Sequence, residues 1–225
     1  MRDEFPDYFR MMDLHEKRQD TFEDAGALYH YRFDQDNGKV PQIAQAKQYA
    51  DHWKEVSVNS LGLLFWGPPG TGKTFAAACI ANALLEIKDI HEPTVRMTTF
   101  AQILNALPAM TAQDKERYLK KLLDCDLLIL DDFGMERQTE YAREQIFHIV
   151  DGRYLRRKPL IVTTNLSLKE LKKTSDMAQQ RICDRILELC IPVYFGGESL
   201  RQEKARENMR LYKQLTGQTA SSPLP

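Results

Sequence analysis

The sequence lacks most of what marks an exported, membrane-bound or metal-built protein. Its 225 residues hold four cysteines, Cys79, Cys125, Cys183 and Cys190, with no C-x-x-C pair among them. Cysteines scattered through apolar and helical stretches predict reduced, buried thiols and argue against a disulfide framework or a zinc-thiolate centre. No apolar run approaches the roughly 20 residues that a bilayer-spanning helix needs. The opening Met1-Arg2-Asp3-Glu4-Phe5-Pro6-Asp7 lacks the basic-then-apolar order of a signal peptide. The expectation is a cytoplasmic protein with no membrane partner. Net charge is also missing, because 31 basic residues face 32 acidic ones. Only a local basic patch, and not the average, can then point to nucleic acid.

What is present is enough apolar material, 43% of residues, to bury one good core. Residues 1–20 are charged, with weak periodicity, and are expected to form a short arm. Residues 21–206 are expected to form the one folded domain, and 207–225 the end of a charged helix and a disordered tail. A helix over 41–53 is predicted from Ile43, Ala46, Ala50 and Trp53 at helical spacing behind Pro41. After it, short apolar runs alternate with longer amphipathic ones. Strands are predicted at 61–66, 95–99, 126–131, 160–164 and 192–195. Helices are predicted at 74–87, 100–107, 112–123, 139–157, 168–173, 178–189 and 201–215. Such alternation implies an α/β fold in three layers, a parallel five-stranded sheet flanked by helices.

Between the first strand and its helix stands Gly67-Pro68-Pro69-Gly70-Thr71-Gly72-Lys73-Thr74. Its glycines let the backbone curl so that successive N–H groups face phosphate oxygens, and the following helix adds its positive end. In that pattern Lys73 reaches the β- and γ-phosphates and Thr74 offers its hydroxyl to Mg²⁺. A nucleotide site also needs a carboxylate for the metal, at the end of a neighbouring strand. Leu127-Leu128-Ile129-Leu130-Asp131-Asp132 supplies one behind the continuous apolar run that a central parallel strand requires. Asp131 is assigned to Mg²⁺ and Asp132 to orienting or deprotonating the attacking water. Asn165, ending 160–164, is placed at the same edge, within reach of the γ-phosphate or that water.

Taken in order, these motifs resemble the AAA+ ATPases, with Walker A at 67–74, Walker B at 127–132 and sensor 1 at Asn165. Together with Arg181-Ile182-Cys183-Asp184-Arg185-Ile186, they are similar over 18–206 to the bacterial helicase loaders of the DnaC/DnaI type, in the IstB-like superfamily. The resemblance implies an ATPase, slow and assembly-dependent, using ATP and Mg²⁺. It also implies homo-oligomerisation on ATP binding, and single-stranded DNA and the replicative DNA helicase as partners. Arg181 and Arg185 lie four apart on one predicted helix, and one of them, Arg185 by preference, matches the arginine finger that enters a neighbour's site. Arg201 matches the sensor 2 position. Two departures stand out. A Glu is more usual where Asp132 stands, and the family's N-terminal helicase-gripping domain has only about 20 residues to correspond to it. Basic clusters at Arg153, Arg156, Arg157 and Lys158, at Lys169, Lys172 and Lys173, and at Lys115, Arg117, Lys120 and Lys121 are the places to look for phosphate-backbone contact. The alternatives are an IstB-type transposition helper and, from another class, a small-molecule P-loop kinase.

Overall fold

A computed structural model describes residues 6–23, 26–134, 139–173 and 177–216. Its chain begins with helix α1 (Pro6–Phe22), two 3-10 turns (Gly26–His30 and Phe33–Gln35), α2 (Gln42–Asp51) and α3 (Trp53–Val58). Strand β1 (Gly62–Trp66) then leads into α4 (Lys73–Leu85), and β2 (Val95–Thr99) into α5 (Phe100–Ala106) and α6 (Ala112–Asp124). The second half holds β3 (Leu127–Phe133), α7 (Glu140–Leu155), β4 (Leu160–Thr164), α8 (Leu168–Lys172), α9 (Met177–Leu189), β5 (Cys190–Tyr194) and α10 (Leu200–Thr216).

The five strands form one sheet in the order β2-β3-β4-β1-β5, and every pairing in it is parallel. Side chains alternate across a strand, so β1 sends Leu63 and Phe65 to one core and Leu64 to the other. The first core lies under α2 and α4, the second under α5, α6, α7 and α9. Helix α4 is apolar nearly all round because it is buried nearly all round. Ala76, Ala77, Ala78 and Ala81, all at 0% exposure, bring its backbone close to the sheet.

The sequence did not signal α1. Instead of a lead-in, residues Pro6–Phe22 form a helix that packs against β2 and α4. Thr21 donates to the Val95 carbonyl at 2.9 Å, Arg96 bonds the Asp20 carboxylate and carbonyl, and Phe22 is buried. A strand edge otherwise open to other chains is thereby covered. The tail expected beyond 216 lies outside the described residues.

Arg153 overturns one reading of the basic clusters. Its guanidinium is fully buried and donates to the carbonyls of Leu123 (3.1 Å), Asp126 (3.2 Å), Cys125 and Pro159. It therefore caps the open C-terminal end of α6 and ties it to the chain entering β3 and β4. Arg156 pairs with Asp124 at 3.1 Å and Lys158 with Asp126 at 2.8 Å. Three of the four residues of this cluster are thus engaged within the fold, Arg153 fully buried and Arg156 and Lys158 in ion pairs, while Arg157 stays exposed. The four cysteines are free and buried, and burial pushes the Cys79 thiol up to about 12. Among the described residues no helix is long and apolar enough to cross a membrane.

Candidate functional site

Residues 67–72 turn sharply at the carboxyl end of β1. Gly67, Gly70 and Gly72 all have positive φ, at 134°, 81° and 98°. Two of them are also pressed by the chain that leaves β5. A Cβ on Gly67 would meet the Phe195 carbonyl at 2.2 Å, and one on Gly70 the Ser199 hydroxyl at 2.2 Å. Leu200 N donates to the Gly70 carbonyl at 2.9 Å, so the first turn of α10 is docked on the loop. Inside the turn, Thr71 donates to the Pro68 carbonyl at 2.9 Å, and Lys73 Nζ to the carbonyls of Gly67 (2.8 Å) and Pro68 (2.7 Å). Burial lowers the Lys73 pKa, with Asp132 and Asp131 pulling the other way.

Asp131 and Asp132 stand near the carboxyl end of β3, just before Phe133. Asp131 is 8% exposed and accepts from the Thr74 hydroxyl (3.1 Å) and the Thr163 hydroxyl (2.5 Å). Burial raises its pKa, and the Thr163 hydrogen bond opposes that rise. Asp132 is exposed and has φ 54°, and the β3–β4 register slips between Leu130 and Phe133. This bulge re-aims Asp132, since strict alternation would send it to the face opposite Asp131, whereas here Asp131 meets Thr74 and Asp132 lines the cleft beside that same threonine. Asp tolerates the left-handed conformation better than most residues. Its amide is held by the Thr163 hydroxyl at 3.0 Å.

One cleft of about 300 Å³ gathers Pro69, Gly70, Gly72, Lys73, Thr74, Asp132, Asn165 and Arg201. Gly67, Pro68 and Thr71 shape the loop from behind and Asp131 lies beside Thr74, so none of these four lines the cleft. Thr74 and Asp131 together present a hydroxyl and a carboxylate, an all-oxygen pair suited to a hard cation such as Mg²⁺. Arg181 and Arg185 do not come to this cleft. Arg185 pairs with Asp151 at 3.1 Å and lies 4.2 Å from the centre of the Tyr154 ring. Arg181 is exposed and lines a separate groove with Glu140, Glu144 and Phe147.

Sequence reasoning missed the other end of the cleft. Tyr31, Phe75, Leu200 and Lys204 line it, with the Tyr31 and Phe75 rings 5.2 Å apart. No spacing rule connects Tyr31 to a loop some forty positions later. Phe75 and Leu200 were within reach, each next to a residue already singled out, Thr74 and Arg201.

Glycine loop, acid pair and strand order together define a P-loop nucleotide-binding domain of the AAA+ type. The sequence profile described as IstB-like ATP binding protein matches residues 4–208. The uncharacterized protein YdaV of Escherichia coli K12 is 35% identical over 154 residues, covering 68% of this chain and 58% of YdaV. The replicative helicase loader DnaC of the same strain is 30% identical over 168 residues, covering 73% of this chain and 64% of DnaC. The chain thus spans about three fifths of the length of these relatives. A crystal structure of the DnaC helicase loader superposes with TM-score 0.63 at 24% identity, covering 76% of this chain and 100% of that one. The chain belongs to the IstB-like ATP-binding family, the one that includes the DnaC-type proteins.

Proposed function

We propose that the chain is an ATP-hydrolysing switch of the helicase-loader kind, which holds Mg²⁺·ATP in the cleft and gains full turnover only when copies assemble. The observation that carries this reading is the convergence of Lys73, Thr74, Asp132, Asn165 and Arg201 on one cleft from the start of α4, from β3, from the residue after β4 and from α10. Phosphate oxygens would take Lys73 from the Gly67 and Pro68 carbonyls, and the loop amides would face the triphosphate. Thr74 and Asp131 would hold Mg²⁺, which neutralises charge on the β- and γ-phosphates when bound. Asp132 would accept the proton of the attacking water, Asn165 would orient that water, and Arg201 would contact the phosphates from α10. The base would lie at the apolar end, against Tyr31, Phe75 and Leu200. Slow hydrolysis fits a carboxylate one methylene shorter than Glu.

Of the two candidate fingers, Arg181 is favoured over Arg185. Arg185 is occupied by Asp151, Glu188 and Tyr154, whereas Arg181 is exposed and has no ion pair among the described residues. Contact with single-stranded DNA falls to Lys169, Lys172 and Lys173. All three are exposed at α8, just beyond the end of β4. In the 115–121 stretch Arg117 pairs with Asp114, and Lys115 sits 5.5 Å from the centre of the Tyr141 ring.

The partner is tested by retention of the organism's replicative helicase on the immobilised chain, with ATP and with ADP, using transposase as a parallel bait. Nucleotide-dependent retention of helicase is expected. Retention of transposase alone would instead establish the transposition-helper reading.

Asp131→Asn provides a further check with two opposite outcomes. The raised pKa means that the ionised form is disfavoured in the folded state, so its cost is complete above that pKa. As pH falls towards the ordinary carboxylate range, about 3.9, the folded state takes up the proton first and the cost disappears. Asparagine should therefore raise the melting temperature of the ligand-free protein at neutral pH, and the gain should shrink as the pH falls through the ordinary carboxylate range. The same change should abolish Mg²⁺-dependent turnover. Thermal melts at two pH values and a phosphate-release assay measure both.

A further inference from the structure

Asn82 stands in the middle of α4 at 0% exposure, in a stretch where Ala78, Ile80, Ala81 and Leu84 are equally buried. A buried amide in a buried helix is costly unless each of its polar groups is bonded. Here they are. Nδ2 donates to the carbonyls of Leu28 (2.8 Å), Tyr31 (3.1 Å) and Ala78 (3.0 Å), while Oδ1 accepts from Arg18 Nε at 3.1 Å. Three acceptors on one side and a donor on the other fix the amide in one orientation. Around it the hold is doubled. Arg32 Nη1 donates to the carbonyls of Tyr29 (2.9 Å) and Tyr31 (2.8 Å), and Glu86 pairs with both Arg18 (2.9 Å) and Arg32 (3.2 Å). The segment so fixed is the one that carries Tyr31 into the cleft.

We infer that Asn82 is a positioning residue for nucleotide binding, which never touches the nucleotide but sets Tyr31 over the base from the same helix that starts at Lys73. Phosphate end and base end are thereby mounted on one rigid element, with α1 held to it through Arg18. This rests on the reading that the base lies against Tyr31. A preorganised aromatic wall adds affinity for the base and none for the phosphates.

The test is a double-mutant cycle on the full chain, with ATP and inorganic triphosphate as the two Mg²⁺-bound probes. Asn82→Asp keeps the size and the bond from Arg18 but replaces a donor by an acceptor facing the Leu28 and Tyr31 carbonyls. It should weaken ATP by about 3- to 10-fold, the worth of an aromatic contact, and leave triphosphate unchanged. In a Tyr31→Ala background the same change should have no further effect on ATP. Asn82→Ala, which adds no charge, should give the same pattern and serves if the aspartate variant does not fold. Equal losses for both probes, an undiminished loss in the Tyr31→Ala background, or no loss at all would overturn the inference. A wild-type chain that binds neither probe would instead overturn the ATP reading.

Discussion

Arg181→Ala is expected to lower ATP turnover by the assembled protein by about 10³-fold or more, the scale on which a supplied arginine stabilises the charge of phosphoryl transfer. Binding of ATP by the single chain should not change, because Arg181 lies on α9 in a groove away from its own cleft. Arg185→Ala should cost far less turnover and act mainly on the α7–α9 contact, where Asp151 and Tyr154 hold that guanidinium. Mixing provides the decisive readout. Arg181→Ala chains keep a complete cleft, and Lys73→Ala chains keep a finger, so each is inactive alone and the mixture should recover phosphate release. Failure to recover it would remove the finger from Arg181.

The largest loss of stability is expected from Arg153→Leu. The substitution leaves the carbonyls of Leu123, Cys125, Asp126 and Pro159 without the donor that now satisfies them, in a place closed to water. About 3–5 kcal/mol should be lost, the scale for removing one partner from a buried charged network. In a domain of this size that is a fall of roughly 6–20 °C in a thermal melt. Arg153→Lys should recover little, since one ammonium cannot reach acceptors spread around a planar fork. A melt within a degree or two of wild type would show that the loops on either side close without it.

Most of the fold was legible because its central strands, β1, β3 and β4, are buried on both faces and read as continuous apolar runs. Val95–Thr99 and Leu160–Thr164 have the bounds expected of them, and every other predicted strand is displaced by two residues or fewer at either end. Helix α1 was not legible, because what holds it is charge and not a stripe. Lys17 pairs with Glu92 at 2.5 Å, Arg18 with Glu86 and Asp20 with Arg96, and those partners lie 68 to 76 positions away. The loop end of the cleft was legible because its motif is local, eight consecutive residues and then an acid pair. Its apolar end is built by tertiary contact. The available hint was Asn82 itself, a polar residue where the pattern of α4 asks for an apolar one. The bulge at Asp132 was equally hidden, since an apolar run followed by two acids does not reveal which acid turns inward.

Every role assigned to the cleft depends on the loop binding nucleotide phosphate through Lys73. Titration of Mg²⁺·ATP into wild-type and Lys73→Ala chains, with a thermal melt of each, measures this directly. Saturable binding by the wild type is predicted, together with a loss of about 10- to 100-fold in the variant, the worth of one or two charge-assisted hydrogen bonds. Equal affinity in a folded Lys73→Ala chain would contradict it.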